Sequence, residues 1–116
     1  MDKIDQLIMF AEKSWGSFLV LDVEDESLTI KITLTPGHRM NYHSHARRDE
    51  VWTVISGRGY AIVDGVKTTV QAGDVVKMPA GSCHTIVAAT ELKVMEAQLG
   101  RDISVHDKEK FPFPEV

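Results

Sequence analysis

The sequence predicts an all-β domain, a small closed barrel or jelly roll with a short N-terminal helix. Three observations carry that expectation. Apolar and polar residues alternate with period two through the middle of the chain, as a strand with one buried face requires. Turn signals recur at short intervals, at Asp25-Glu26, Pro36-Gly37, Gly57-Arg58-Gly59, Asp64-Gly65, Ala72-Gly73-Asp74, Pro79-Ala80-Gly81 and Thr90-Glu91. At 116 residues the chain is long enough to bury one modest core and too short for two.

Ile4, Leu7, Ile8 and Ala11 recur at helical spacing behind Asp2, a suitable N-cap, and predict a helix over residues 3–13. From Ser17 the period changes to two: Leu28, Ile30, Ile32 and Leu34 alternate with Thr29, Lys31 and Thr33. Strand-like runs occupy residues 17–23, 28–34, 50–56, 60–64, 66–70, 74–78, 83–89 and 92–99, and Asp64-Gly65 between two of them is a strong hairpin signal. Many short strands in close succession suit a barrel or jelly roll, although alternation alone does not separate these from a sandwich or an OB-like fold. After Gly100 the periodicity lapses. The expected organisation is therefore a helix and lead-in over 1–16, a barrel over 17–100, and a polar tail over 101–116 ending in the proline-stiffened Phe111-Pro112-Phe113-Pro114.

Thirteen basic residues against 17 acidic ones give a formal net charge of -4. That balance offers no bulk attraction to nucleic acid or to an anionic membrane, so the expected partner is a small molecule and any useful cations must be clustered. Cys83 is the single cysteine, which excludes an intramolecular disulfide and the paired-cysteine zinc sites. The first fifteen residues mix acids with apolar residues and do not read as a secretory signal, and no apolar run approaches the roughly 20 residues that span a bilayer. A soluble protein of the reducing cytoplasm is expected.

The chemistry gathers around three of the five histidines. His43 and His45 are two apart on a predicted strand, so both imidazoles point to one face. Glu50 follows after a short charged loop, and His84 lies on a later strand after the Pro79-Ala80-Gly81 turn. Facing into a barrel, three neutral imidazoles and one carboxylate suit a divalent metal, zinc first and iron, manganese, nickel or copper as alternatives. On an exposed edge strand the same histidines would simply be solvated.

The spacing resembles that of the cupin superfamily, whose first motif is glycine, five residues, His-x-His, three or four residues, glutamate, six residues and glycine. Gly37, His43, His45, Glu50 and Gly57 meet each interval. The second motif is glycine, five residues, Pro-x-Gly, two residues, histidine, three residues and asparagine; Gly73, Pro79, Gly81 and His84 match it, with Ala88 in the place of the asparagine. From Lys13 to about Gly100 the chain is also similar to the cupin domain of type II mannose-6-phosphate isomerases, a module often fused to mannose-1-phosphate guanylyltransferase. That similarity rests on Trp15-Gly16-Ser17, Pro36-Gly37, Arg48 and Trp52 around Glu50, Ser56-Gly57, and Pro79-Ala80-Gly81. It implies a metal-dependent aldose-ketose isomerase acting on a sugar phosphate in a jelly-roll barrel, while the amphipathic N-terminal helix and the apolar strands predict a homodimer, as cupins of this size often pair. Two departures stand out. His43 replaces the glutamine common at the first ligand position of these isomerases, and Val105 stands where their first C-terminal arginine would fall, with the later arginine missing as well.

Arg48 and Lys31 are the candidate catalytic residues. Arg47 and Arg48 lie in the loop between His45 and Glu50 and can bind a phosphate or carboxylate bidentately, against the alternative of solvated loop charges. Lys31, between Ile30 and Ile32, points either into the cavity or out of it. Trp52 shares the parity of Glu50 and either walls the pocket or packs in the core, Cys83 is expected in the barrel wall, and His38 and His106 are expected at the surface. Three functions are compatible with these features: the isomerase, an oxygen-dependent or decarboxylating enzyme favoured by the three-histidine set, and a non-catalytic sugar- or anion-binding module favoured by the missing arginines.

Overall fold

The structure, a computed structural model, describes residues 9–115. Eleven strands and no helix occur among them: β1 (Phe10–Lys13), β2 (Gly16–Val23), β3 (Ser27–Leu34), β4 (Tyr42–Ser44), β5 (Asp49–Ser56), β6 (Arg58–Val63), β7 (Val66–Gln71), β8 (Val75–Met78), β9 (His84–Ala88), β10 (Leu92–Leu99) and β11 (Glu109–Phe111). They form two antiparallel sheets, one ordered β1-β2-β3-β10-β5-β8 and the other β11-β4-β9-β6-β7, the two layers of a jelly roll. No helix among the described residues is long and apolar enough to cross a membrane.

Strand alternation decides what lies inside. On β3 every second residue, Leu28, Ile30, Ile32 and Leu34, is buried. On β10 the buried face runs Leu92, Val94, Glu96, Gln98, and on β5 it runs Glu50, Trp52, Val54. These two strands pair antiparallel with Gln98 opposite Glu50, Glu96 opposite Trp52 and Val94 opposite Val54. The register therefore runs from a polar pair, Gln98 with Glu50, through Glu96 with Trp52 to an apolar pair, Val94 with Val54, giving the interior a polar end and a hydrophobic end. Ile32, Leu34, Leu92, Val94, Val54, Ile86 and Ala88 belong to the hydrophobic cluster, each at most 1% exposed.

Two expectations are corrected at the ends of the chain. Residues 10–13 are not the end of a helix: they pair with β2, Phe10 opposite Leu19 and Lys13 opposite Gly16, and the Val20 N–H donates to the Met9 carbonyl. The free edge of β2 satisfies this backbone, while Phe10 and Glu12 are exposed and Ala11 is only half-buried, so a helical turn over residues 10–13 would have no core to face. The rest of the expected helix lies outside the described residues. The segment after Gly100 is likewise part of the barrel, because β11 pairs with β4 and Ile103 is buried in the core.

The turns behave as their residues require. Asp64 and Gly65 both have positive φ, 48° and 81°, as a two-residue hairpin turn demands. Gly57, at φ 90°, joins β5 to β6 with its backbone against the Glu91 carbonyl, where a Cβ would overlap the oxygen. Gly57→Ala is expected to lower stability by at least about 1–3 kcal/mol from the backbone conformation alone, measured by urea unfolding; an unchanged midpoint would contradict this account of the turn.

Candidate metal centre

The polar end of the interior collects the four residues singled out in the sequence. His43 on β4 and His84 on β9 are direct cross-strand partners. His45 follows one residue beyond β4, with the parity of His43, and Glu50 enters from β5 in the other sheet. One nitrogen or oxygen from each residue lies within 4.8 Å of all the others, and all four residues are buried. The imidazole centroids are 4.6 to 5.5 Å apart. His84 Nε2 is 3.0 Å from Glu50 Oε1, and His45 Nε2 is 3.4 Å from Glu50 Oε2.

Two backbone carbonyls orient the rings. His43 Nδ1–H donates to the Asn41 carbonyl and His45 Nδ1–H to the Asp107 carbonyl, each at 2.6 Å. A carbonyl only accepts, so Nδ1 carries the proton and Nε2 keeps its lone pair for the centre, the arrangement that second-sphere carbonyls impose on ligating histidines. His84 Nδ1 is sealed in the interior without a hydrogen-bond partner among the described residues, and its ring meets Trp52 edge-on at 5.5 Å.

Burial, reinforced by the neighbouring His84 and Lys108 charges, pulls the His43 pKa down to about 3 despite the Asn41 carbonyl. Burial also lowers that of His45, with Arg48 adding to the effect. For Glu50, burial acts toward protonation, but the His84 hydrogen bond and the Arg48 charge overcome it and hold the carboxyl below its ordinary range. His43 and His45 are thus neutral imidazoles beside an ionised carboxylate.

The Arg47-Arg48 pair divides. Arg47 is exposed, while Arg48 is buried and donates from Nε to Glu50 Oε2 at 2.8 Å, from Nη2 to His45 Nε2 at 3.1 Å, and from Nη1 to the Ser104 carbonyl at 3.3 Å. His43, His45, Arg48 and Glu50 face a cavity of about 650 Å³, whose wall also includes the cations Lys13, Arg39, Lys108 and Lys110. Ile30 and Ile32 line the cavity too, so parity puts Lys31 on the opposite face of β3. Lys31 is not brought to the site.

A family model described as "Cupin domain" matches residues 30–97, a span that contains all four clustered residues. The chain belongs to the cupin family. Among its relatives is a mannose-1-phosphate guanylyltransferase of Salmonella muenchen, 29% identical over 97 residues. That match takes in 82% of this chain but only 20% of the relative, so the chain spans about a fifth of the curated protein's length. Among solved structures, an uncharacterized conserved protein with a double-stranded β-helix domain from Klebsiella pneumoniae subsp. pneumoniae MGH 78578 superposes with a TM-score of 0.77 at 16% identity, covering 97% of this chain and 96% of that one. An RmlC-like cupin from Shewanella frigidimarina NCIMB 400 gives 0.69 at 25% identity, covering 77% and 81%.

The cupin's four donors could hold a metal ion, and their chemistry fits one: three nitrogens and an ionised oxygen converge, and two of the imidazoles are locked in the tautomer that ligation needs. Trp52 is fully buried and lies beside His84, Cys83 is half-buried, and His38 and His106 are exposed.

Sequence reasoning missed four contributors. Glu96 and Gln98 break an apolar face at positions whose parity, set by Leu92 and Val94, already marked them as interior. Asp107 caps the ligand loop, accepting the Ala46 N–H on Oδ1 and the Arg47 N–H on Oδ2, each at 2.8 Å. Lys108 reaches the cavity wall from the segment read as a tail, where nothing in the sequence signals the return of the chain.

His45→Ala and His84→Ala are each expected to lose most of the bound metal, since either leaves three donors of four. Elemental analysis checks this, and full occupancy in both variants would contradict the ligand assignment.

Proposed function

We propose that this cupin is a metal-dependent aldose-ketose isomerase acting on a small sugar phosphate, resembling mannose 6-phosphate in chemistry. The observation that carries the reading is the composition of the cavity: His43, His45 and Glu50 of the donor set line a space whose wall carries five cations, Lys13, Arg39, Arg48, Lys108 and Lys110, in a chain of net charge -4. Such a wall favours an anion that the bulk charge would repel. Those four residues would hold a divalent ion, zinc being the first expectation, which when bound polarises a carbonyl and stabilises negative charge developing on oxygen.

This chain's own residues supply the rest. The Lys108 amine is pushed down by partial burial and by the like charges of Lys110 and Arg48, a crowding that an anion would relieve. Arg48 uses three of the five N–H donors of a guanidinium, which leaves two for a phosphate or carboxylate. Lys108 and Lys110, brought in by the C-terminal segment, stand in for the arginines absent after the last barrel strand. The similarity to the guanylyltransferase, whose name carries a mannose phosphate, points the same way.

Arg48→Ala is expected to weaken binding of mannose 6-phosphate by about tenfold to a hundredfold, the effect of losing a charge-assisted contact of roughly 1.5–3 kcal/mol. Metal content should be undiminished, because the guanidinium occupies the His45 lone pair that a metal would use. Calorimetric titration of the two proteins is the measurement; equal affinity would remove the anion role of Arg48.

The three-histidine set also favours a second reading, an oxygen-dependent or decarboxylating enzyme, which oxygen uptake by the iron- or manganese-loaded protein would distinguish. We further infer a cytoplasmic homodimer. The edge hairpin of β1 and β2 leaves Met9, Phe10, Leu19 and Leu21 exposed, an apolar edge that pairing with a second copy would cover. Sedimentation is expected to give twice the chain mass of 12.9 kDa; a monomer at high concentration would refute pairing.

A further inference from the structure

One buried group in the cavity wall has no part in the metal set. Glu96 projects from β10 into the same interior face as Glu50: its neighbour Gln98 lies directly opposite Glu50, and Glu96 opposite Trp52. It is 4% exposed and lines the cavity. Trp52 Nε1–H donates to Oε1 and Gln98 Nε2–H to Oε2, each at 2.7 Å. Both donors are neutral, and among the described residues no salt bridge meets this carboxyl.

A carboxyl is an expensive way to anchor an indole N–H, because burying its charge without a counter-ion costs far more than burying an amide would. Gln98 adds a second anomaly: its Oε1 is buried without a hydrogen-bond partner. Both have a use if Glu96 gains and loses a proton and the Gln98 amide turns to match. With Glu96 ionised, Gln98 turns its NH2 to the carboxylate; with Glu96 protonated on Oε2, the amide turns over and its oxygen accepts that proton.

We propose that Glu96 is the acid–base residue of this site, taking a proton from the bound ligand and returning it, with Gln98 stabilising both protonation states. The inference rests on the isomerase reading. The carboxylate takes the proton from the carbon beside the ligand's carbonyl, and the C–H electron pair becomes the C=C of an enediolate. The remaining hydroxyl proton crosses to the neighbouring oxygen. The carboxylic acid then returns its proton to the former carbonyl carbon, and the carbonyl has moved by one position.

Glu96 faces Glu50 from β5, Arg48 from the ligand loop and Lys108 from the C-terminal segment, while Leu28 and Ile30 on β3 are apolar. Burial first, then the Glu50 charge, raises its pKa to about 7, where a base is matched to neutral pH.

The test is Glu96→Gln, close in shape and still able to accept from Trp52 and donate to Gln98. Metal-loaded parent and variant are incubated with mannose 6-phosphate and with fructose 6-phosphate in D2O, and loss of the exchangeable C–H signal is followed by proton NMR. Metal content, melting temperature and calorimetric affinity are measured on the same samples. The variant is expected to keep metal and affinity while exchange falls by at least about a hundredfold. Exchange in the parent with no loss in the variant would overturn the role of Glu96 alone; no exchange in the parent would overturn the isomerase reading and this inference with it. Should the amide variant not fold, Glu96→Asp keeps a carboxyl one methylene further back, and exchange at the parent rate would overturn the proposal equally.

Discussion

Glu50 imposes the constraint around which the polar end of the barrel is built. A carboxylate that is 1% exposed must have its charge met inside the protein, since isolated burial of an ion is prohibitive. Here the charge is met by the Arg48 guanidinium from the intervening loop and by the His84 hydrogen bond from the opposite sheet, with His45 beside them. These three residues are in turn fixed by backbone. His45 leans on the Asp107 carbonyl, Arg48 on the Ser104 carbonyl, and His84 sits in direct register with His43. Removing Glu50 would leave a buried guanidinium and converging imidazoles with nothing to balance them.

The same constraint explains why the C-terminal segment folds back. A barrel of β2 to β10 alone would leave β4 unpaired on one side and the ligand loop uncapped. β11 supplies the missing edge, Ile103 plugs the core, and Asp107 contributes three acceptors to two backbone N–H groups and one imidazole. Stability and site geometry are therefore coupled in one segment. The apolar end of the interior, from Leu34 to Val54 and Val94, supplies the burial that offsets a polar end expensive in desolvation.

The barrel was legible because period-two alternation reports burial directly: β3, β5 and β10 bury every second residue over most of their length, and Asp64-Gly65 turns as its residues require. The clustering of His43, His45, Glu50 and His84 was legible because these residues sit at fixed offsets from turns. What could not be read had its cause elsewhere in space. At Ala11 the helical spacing gives way to a sheet edge that exists only after β2 has folded. Arg47 and Arg48 are adjacent and chemically identical, yet Arg48 alone is buried, because only it reaches Glu50. Lys31 required knowledge of which face of β3 is inside. Glu96 carried a signal, a charged residue in phase with Leu92 and Val94, whereas Asp107 and Lys108 carried none, since the register of β11 against β4 is set by tertiary packing.

The central claim is that His43, His45 and His84 present Nε2 to one shared ion beside Glu50, with His43 and His45 held by carbonyls at Nδ1. Long-range proton–nitrogen NMR of the histidine side chains, recorded before and after one equivalent of zinc, measures this most directly. The account predicts Nδ1–H tautomers for His43 and His45 in the metal-free protein, then shifts of all three Nε2 resonances at one equivalent, with His38 and His106 unmoved. Zinc-induced shifts confined to His38 or His106, or no saturable shift at all, would contradict it.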